Sequence, residues 1–282
     1  MARIGRRASL NASCVSTSES GGHLSNDVLL AEHRDGVLTL TINRPDQRNA
    51  LRMDLLDALG QKLADHAADE RVKCAVITAV GDRAFAAGGD LKELNAIRTQ
   101  DQAEAMSRRG RRALDQVRRF PLPVIGALNG LALGGGAELA MACDLRVAAY
   151  NAEIGFLQGK LAVTTAWGGG IDLVAAVGTR RALELLASAR RVKAQEALEL
   201  GLFDRACDET ETLDACLASY LEPFLARTRR VLEGYKAITT GHRQAVHERL
   251  SSVEQRHFAA TWTHDEHWQA VELAAAQRAA KK

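Results

Sequence analysis

The sequence has little net charge and few aromatic side chains. Its 282 residues include 37 lysines and arginines against 35 aspartates and glutamates, for a net charge of +2, and only 4% of them are aromatic. A balanced charge gives no electrostatic reason to bind nucleic acid or an anionic membrane surface, and scarce aromatic residues disfavour base stacking. We therefore expect neither a nucleic acid nor a membrane to be a partner.

Long apolar runs and paired cysteines are also missing. No stretch approaches the roughly 20 apolar residues that a membrane-spanning helix needs. The five cysteines are odd in number and widely separated, which is typical of reduced thiols in a cytosol-like compartment. Hydrophobic residues make up 46% of the chain, which is enough for the core of one large domain or two small ones.

Residues 1–23 differ from the rest of the chain, because three arginines precede a serine-rich stretch and the first acidic residue is Glu19. Such a composition suits either a transit peptide or a disordered extension. A presequence also forms an amphipathic helix, and this segment offers little apolar face for one. We predict a disordered extension and a bacterial-type cytoplasmic location, with a mitochondrial location as the alternative.

Several common catalytic signatures are absent. Gly130–Gly135 lacks the spacing, lysine and hydroxyl residue of a phosphate-binding loop, and Leu139 stands where a dinucleotide-binding turn needs its third glycine. No serine lies in a Gly-x-Ser-x-Gly turn. His247–Ser251 lacks the second histidine of a zinc-protease helix, and His264–His267 suits a solvated helix face better than a metal site. We predict no metal and no separate cofactor.

The chain alternates between strands and helices up to about residue 208. Apolar or alternating segments predict strands at Val37–Ile42, Cys74–Ala79, Val124–Leu128 and Leu145–Ala149. From Glu209 onward the pattern is helical almost throughout. We predict an α/β fold with a core over residues 24–208 and a helical region over residues 209–282 that serves packing or assembly.

Two glycine turns each lead into a predicted helix. Gly134-Gly135-Gly136 precedes a segment that contains Glu138, and Gly88-Gly89 precedes a helix predicted over residues 91–96. Because glycine has no Cβ, a ligand can approach the backbone closely, and free N–H groups at a helix N-terminus favour negative charge. We predict that the two turns converge as an oxyanion hole, with Glu138 beside it as an acid/base group.

A helix predicted over residues 102–119 is rich in arginine. Apolar side chains occupy one side of it, and the arginines lie elsewhere around the helix. Arginine suits both ordinary solvated surfaces and phosphate recognition, so the segment could attract a phosphorylated substrate. We predict a solvated face for these residues, which are Arg108, Arg109, Arg111, Arg112, Arg118 and Arg119.

Several motifs together resemble the crotonase, or enoyl-CoA hydratase/isomerase, superfamily. The resemblance covers roughly residues 28–275 and is carried by paired glycine motifs at Ala84–Asp90 and Asn129–Asp144. Asn43-Arg44-Pro45 followed by Asn49-Ala50-Leu51 is similar to the N-terminal signature of that family, and Ala194–Leu202 is similar to a later helix.

This resemblance implies a spiral of strand–strand–helix units, a helical C-terminal region that builds trimers or dimers of trimers, and a coenzyme A thioester as substrate. Coenzyme A would then be part of the substrate and not a cofactor. Gly89 and Gly135 match the two backbone donors to the thioester oxygen, and Glu138 matches a family acid/base residue. By the same resemblance the CoA-binding residues are Asn49, Ala50, Leu51, Ala86, Ala87 and Asp90. We also expect Trp167 to shape the acyl pocket.

One position departs from the family pattern. Hydratases of this family place a second glutamate where this chain has Gln158, and an amide cannot transfer a proton. Glu153 is close in sequence, but a shift of five residues would place it elsewhere. The departure leaves the substrate class intact and puts ordinary water addition in doubt.

Three functions therefore stay open. Proton chemistry of the hydratase or isomerase type, with Glu138 as acid/base and Gln158 as an orienting group, ranks first. Decarboxylation of a malonyl-type thioester is the alternative, because Trp167-Gly168-Gly169 and Thr261-Trp262 are similar to the ethylmalonyl-CoA decarboxylase branch. A catalytically silent paralogue that only binds acyl-CoA is the third hypothesis.

Overall fold

A computed structural model describes residues 28–280, so the extension predicted for residues 1–23 lies outside the described residues. The strands of the described chain form two sheets. In chain order they are β1 (Leu29–Arg34), β2 (Val37–Ile42), β3 (Cys74–Ala79), β4 (Ala84–Ala86), β5 (Val124–Leu128), β6 (Leu131–Leu133), β7 (Leu145–Ala148), β8 (Glu153–Gly155), β9 (Val192–Lys193) and β10 (Arg205–Ala206). The four predicted strands are confirmed, and the last of them ends one residue earlier than predicted.

The larger sheet has the strand order β1-β2-β3-β5-β7-β10. It is parallel except for β1, which pairs antiparallel with β2 at its edge. Strand β5 is buried at every position, as expected for a parallel strand that is covered on both faces. Strand β2 alternates between half-buried threonines and buried leucines and isoleucine, so one face of it meets the core.

The smaller sheet has the order β4-β6-β8-β9. Its first three strands alternate along the chain with strands of the larger sheet. Strands β3, β5 and β7 are each followed by a short strand of the smaller sheet and then by a helical segment. This repeated strand–strand–helix unit confirms the predicted α/β spiral. Because β4 and β6 pair in parallel, the two glycine turns that follow them emerge at the same edge.

The helices cover the sheets and fill the C-terminal region, in agreement with the sequence prediction. They are α1 (Met53–His66), α2 (Leu91–Leu94), α3 (Gln100–Arg119), α4 (Gly135–Ala142), α5 (Gly169–Ser188), α6 (Ala194–Glu199), α7 (Leu213–Leu225), α8 (Arg229–Trp262) and α9 (Asp265–Ala279). Helix α3 starts two residues earlier than predicted, because Thr99 and Gln102 form a capping box. Throughout the described part of the chain, the helices fall short of what a membrane crossing requires.

Helix α8 joins the C-terminal region to the spiral. It packs along α3 and α5, and its Leu232, Phe258 and Trp262 belong to the same hydrophobic core as the sheet residues. The turn between α8 and α9 is held to the spiral by two hydrogen bonds, one from Trp262 Nε1 to the Ile97 carbonyl and one between His267 Nδ1 and the Leu161 carbonyl. The core is thus continuous from β2 to the end of α8.

The prediction of a solvated arginine face on α3 is wrong at two positions. Arg118 is buried and donates hydrogen bonds to the Asp172 carboxylate and, at 2.7 Å, to the carbonyl of Trp167. Arg111 is largely buried and forms a 2.5 Å ion pair with Glu254 of α8. The four other arginines are exposed as predicted. Burial of the two exceptions follows from α8, which covers the side of α3 on which both residues lie.

Candidate active site

The two glycine turns pack against each other. A Cβ atom on Gly136 would overlap the carbonyl oxygen of Ala86, and one on Gly135 would lie 3.3 Å from the nitrogen of Gly89. Gly88 and Gly134 have φ angles of +113° and +53°, a conformation that favours glycine. The glycines are therefore required both by the backbone conformation and by the close approach of the two chain segments.

The N–H groups of Gly89 and Gly135 are available in this arrangement. Leu51 pairs with Gly89 through bonds from Leu51 N to Gly88 O and from Asp90 N to Leu51 O, both 2.8 Å, which skip the nitrogen of Gly89. Gly135 begins α4, where the first N–H groups have no partner within the helix. Within residues 28–280 neither nitrogen donates to a backbone carbonyl, and both residues are half-buried.

The structure also brings together the two segments that the family resemblance assigns to coenzyme A. Ala87 N donates to Arg48 O at 3.1 Å, which places residues 49–51 beside residues 86–90. The side chain of Asn49 is buried and donates to the carbonyls of Val80 and Ala84 at 3.1 Å and 2.7 Å. The side chains of Asn49 and Asp90 hold these segments in place.

Asp90 has two local contacts. It forms a 2.9 Å ion pair with Arg44 and accepts a hydrogen bond from Lys92 N as the N-cap of α2. Arg44 in turn donates to the carbonyl of Ala50, so one arginine joins both segments. Because the side chains of Asn49 and Asp90 are engaged within the protein, a ligand at these two segments would meet mainly their backbone.

Glu138 lies one turn into α4 with its side chain inside the protein. It is 2% exposed, and each of its carboxylate oxygens accepts two hydrogen bonds. One oxygen accepts from Gln158 Nε2 at 3.0 Å and Ala166 N at 3.4 Å, and the other from Trp167 N at 2.8 Å and Gly169 N at 3.0 Å. The carboxylate is thus fixed by one loop and by the predicted partner Gln158.

Burial raises the pKa of Glu138 to about 7, and the negative charge of Glu254 acts in the same direction. The backbone N–H groups of Gly169, Trp167 and Ala166 oppose this rise, because they stabilise the ionised form. A carboxyl group with a pKa near neutrality can exist in either protonation state at physiological pH. That property suits a group that both accepts and donates a proton.

Trp167 lies between α3 and the two glycine turns. The six-membered part of its indole ring contacts Gly135 so closely that a Cβ there would overlap it, and its Cη2 would lie 3.6 Å from a Cβ on Gly89. The five-membered part lies against Gly110 of α3 in the same manner. The ring is buried, and its Nε1 has no hydrogen-bond partner among residues 28–280. Trp167 therefore forms one wall beside the two available N–H groups.

Gln158 lies in a 3₁₀ helix, Leu157–Leu161, that follows β8. Its amide nitrogen donates to Glu138, and its Oε1 is buried without a partner in the described part of the chain. The sequence prediction that Gln158 faces Glu138 is therefore correct in position. Glu153, which was not favoured, lies in β8 and pairs with Arg191 at 3.6 Å.

Two residues of this region, Glu254 and Gly110, were missed by sequence reasoning. Glu254 of α8 accepts hydrogen bonds from the Thr165 hydroxyl at 2.6 Å and from Gly168 N at 2.8 Å, and Arg111 holds it. Gly110 gives space to the indole of Trp167. A glycine inside an otherwise strong helix was a usable signal for Gly110. Nothing in the sequence pattern distinguishes Glu254 from the other acidic residues of α8.

Away from the glycine turns, and among the described residues, three side chains that could bind a metal ion lie close together. Ligand atoms of Cys207, Glu211 and Cys216 lie within 4.8 Å of one another. Arg205 already occupies this group, because it bonds to the Cys216 sulfur at 3.4 Å and to Glu211 at 3.1 Å. A guanidinium in this position supplies the positive charge that the cluster would otherwise attract.

Comparison with known proteins relates this geometry to one family. The sequence profile of the Enoyl-CoA hydratase/isomerase family matches residues 32–276. Mouse mitochondrial methylglutaconyl-CoA hydratase is 36% identical over 193 residues, which are 68% of this chain and 61% of that protein. The chain thus spans less than two thirds of the mouse protein. Bacterial relatives match as well, among them short-chain-enoyl-CoA hydratase of Clostridium acetobutylicum at 34% identity over 67% of this chain and 72% of that protein.

The chain is also similar to a decarboxylase and to a solved structure. Ethylmalonyl-CoA decarboxylase of Xenopus laevis is 30% identical over 234 residues, which are 83% of this chain and 78% of that protein. The crystal structure of enoyl-CoA hydratase from Bacillus anthracis has a TM-score of 0.71 and 31% identity, and the match covers 79% of this chain and 88% of that chain.

Proposed function

Because the chain belongs to the enoyl-CoA hydratase/isomerase family and is an enzyme of that family, we propose that it acts on an acyl-CoA thioester through an enolate. In this proposal the thioester oxygen accepts hydrogen bonds from Gly89 and Gly135, and Glu138 is the acid/base group. The observation that carries it is the contact between the two glycine turns, which leaves both N–H groups available side by side. Such preorganised donors stabilise a developing oxyanion, and loss of one typically costs about 3 kcal/mol of barrier.

Glu138 then moves the protons. In hydration it takes a proton from the attacking water and delivers one to the carbon next to the thioester, so the double bond is lost and the charge balances. In isomerisation it removes a proton from one carbon and returns it to another. Gln158 keeps the carboxylate oriented through its 3.0 Å hydrogen bond and transfers no proton itself.

Decarboxylation of a malonyl-type thioester is the second candidate, and a specific observation favours it. All four hydrogen-bonding positions of the Glu138 carboxylate are already occupied by protein donors, so a water or a substrate C–H must displace one of them before Glu138 can act on it as a base. Decarboxylation needs no base, because the electrons of the broken C–C bond pass into the thioester carbonyl as carbon dioxide leaves. The neutral Gln158 would also not repel the substrate carboxylate.

A pair of assays separates these candidates. The protein is incubated with crotonyl-CoA, following loss of the enoyl absorbance, and with methylmalonyl-CoA and ethylmalonyl-CoA, following release of carbon dioxide. Loss of enoyl absorbance supports the first function, and release of carbon dioxide supports the second. Tight binding of these esters with no turnover of any would overturn both and favour a silent acyl-CoA-binding protein.

We propose that residues 49–51 and 86–90 line the path of coenzyme A, and that no separate cofactor is used. We also propose that the region 209–282 supports a trimer or a dimer of trimers, which light scattering of the purified protein would test. For the location of the protein we propose a bacterial-type cytoplasm, with mitochondria as the alternative, since the relatives include bacterial and mitochondrial enzymes.

A further inference from the structure

The loop of residues 165–169, which we call the Trp167 loop, is held by two carboxylates from two different helices. Glu138 of α4 accepts hydrogen bonds from Ala166 N, Trp167 N and Gly169 N. Glu254 of α8 accepts the remaining N–H of this series, from Gly168 at 2.8 Å. It also accepts the hydroxyl of Thr165 at 2.6 Å. Every residue of the Trp167 loop thus donates to one of the two glutamates.

Glu254 is itself fixed in place by α3. Arg111 forms a 2.5 Å ion pair with it, and the two side chains are 11% and 8% exposed. A second nitrogen of Arg111 donates to Ser251 of α8 at 3.1 Å, so two hydrogen bonds join the guanidinium to α8. A charge-assisted contact of this kind, mostly shielded from water, is stronger and more rigid than an exposed pair.

The charged groups around Glu254 are few and can be named from each element. Helix α3 contributes Arg111, and α8 itself contributes His247, seven residues or about two turns before Glu254. Around Gly168, a Cβ atom would lie 2.8 Å from Arg118 Nη2, 2.9 Å from His247 Cε1 and 3.2 Å from Arg111 Nη1. Arg118 and His247 are both engaged by Asp172. Glu138 is the carboxylate on the other side of the loop.

We propose that Glu254, held by Arg111, is a positioning residue of this active site: it fixes the Trp167 loop and, through it, the carboxylate of Glu138 and the indole of Trp167. The loop couples the two glutamates because adjacent N–H groups bind one or the other. Their negative charges also repel each other, which contributes to the raised pKa of Glu138. The inference rests on the proposed function, since it takes Glu138 as the acid/base group.

The decisive test measures the titration of Glu138 and needs no turnover. Full-length protein is labelled with ¹³C at the glutamate side-chain carboxyl carbons, and the Glu138 resonance is identified by its loss in the Glu138→Gln variant. In the wild type it should titrate near pH 7. In Glu254→Gln the midpoint should fall by about one pH unit or more, because a like charge is removed and Arg111 is left unopposed. Glu248→Gln, an exposed charge on the same helix, should leave the midpoint unchanged.

Arg111→Gln provides the test of opposite sign. It leaves the charge of Glu254 uncompensated, so the midpoint of Glu138 should rise. Glu254→Gln and Glu254→Ala should also differ, because glutamine keeps an acceptor for the loop and alanine does not. We expect kcat to fall about 10²-fold in Glu254→Ala, because a loose loop misplaces the acid/base group, and much less in Glu254→Gln. In both variants KM should change less than kcat.

An unchanged Glu138 midpoint in both Glu254→Gln and Glu254→Ala, with folding retained by circular dichroism, overturns the proposal whatever the enzyme turns over, because neither the charge nor the loop acceptor of Glu254 would then act on Glu138. Absence of turnover in the wild type overturns the proposed function, while the midpoints of the Glu254 and Arg111 variants still decide whether the coupling exists.

Discussion

At the scale of single residues, the site depends on how one carboxylate is surrounded. Glu138 is buried, carries four hydrogen bonds and has a pKa raised to about 7 by burial and by the charge of Glu254. Four donors stabilise its ionised form, and burial together with a like charge favours its protonated form. The residue is thereby held close to the balance that proton transfer at neutral pH requires.

Replacement of Glu138 by glutamine separates the two candidate reactions. If the enzyme hydrates or isomerises enoyl-CoA, Glu138→Gln should lower kcat by about 10²- to 10⁴-fold, because general acid–base catalysis is lost. If it decarboxylates, turnover should fall much less, since that step needs no base. Steady-state kinetics with each substrate measure the effect. Glu153→Gln, which removes a half-buried glutamate paired with Arg191, is the matched control and should retain activity. Unchanged hydration in Glu138→Gln would disprove the assigned role.

Gly135 should not tolerate a side chain, although its N–H would remain. In Gly135→Ala the new Cβ overlaps the indole of Trp167, so the donor or the ring must move. We expect kcat/KM to fall by about 10²- to 10³-fold, the usual cost of losing one oxyanion donor. Gly159→Ala, whose Cβ would lie 3.4 Å from the nearest atom, should behave as the wild type. Full activity in Gly135→Ala would argue against an oxyanion hole at this turn.

At the scale of secondary structure, helix α3 is adapted to the indole that packs on it. Gly110 lies in the middle of a 20-residue helix, where glycine costs about 1 kcal/mol relative to alanine. The position is buried, and a Cβ there would overlap the five-membered ring of Trp167. Glycine at position 110 thus destabilises the helix, but it leaves the space that lets Trp167 lie beside Gly89 and Gly135.

This explanation predicts a change of sign in a double mutant. Gly110→Ala should lower the free energy of unfolding by about 1–3 kcal/mol in the wild type, because the core is overpacked. In a Trp167→Leu background the same change should raise it by up to about 1 kcal/mol, since only helix propensity remains. Urea unfolding followed by circular dichroism gives both values.

Two glycines of α8 serve as controls for the helix effect. Gly234→Ala and Gly241→Ala would place a Cβ with nothing within 4 Å, so each should be neutral or stabilising. If Gly110→Ala behaved like these two variants, Trp167 would not constrain α3 as described.

At the scale of the whole molecule, one buried carboxylate connects three helices. Asp172 of α5 bonds to Arg118 of α3 and to Arg243 and His247 of α8. Burial alone would raise the pKa of Asp172, but Arg118, Arg243 and His247 hold it well below its usual range. Arg118 also donates to the Trp167 carbonyl at 2.7 Å, so the same network supports the loop of the site.

Stability should therefore depend on pH through Asp172. A carboxyl group whose pKa is depressed by folding stabilises the protein above its unfolded pKa, about 4, and this contribution is lost as the pH falls further. Asp172→Asn should lower the free energy of unfolding by about 3–5 kcal/mol at pH 7, because buried arginines lose their partner. The difference from the wild type should shrink by about 1.4 kcal/mol for each pH unit below about 4.

Denaturant unfolding of both proteins at pH 7, 4 and 3 measures this dependence. Asp65→Asn, an exposed carboxylate at the end of α1, should have a small effect at every pH. A wild-type advantage over Asp172→Asn that stays constant between pH 4 and pH 3 would contradict the assigned ionisation.

The sequence by itself determined four strands of the larger sheet, an α/β fold with a helical C-terminal region, and the two glycine turns. Each of these depends on local properties: apolar runs predict buried strands, and residues without a Cβ mark places where the backbone turns sharply or approaches another segment. Glu138 followed as well, from its place in the first turn of the helix after Gly134–Gly136, whereas Gln158 and the spiral of strand–strand–helix units followed from the resemblance to one family. The resemblance to one family came from the same local motifs.

Only the tertiary structure decided which charges are inside and what they contact. Arg111 and Arg118 are indistinguishable in sequence from the exposed arginines of α3, and they are buried only because α8 packs over them. Glu254 lies 116 residues beyond Glu138 in the chain, yet both hold the Trp167 loop. Such contacts depend on how helices distant in sequence pack together, and no local periodicity encodes that packing.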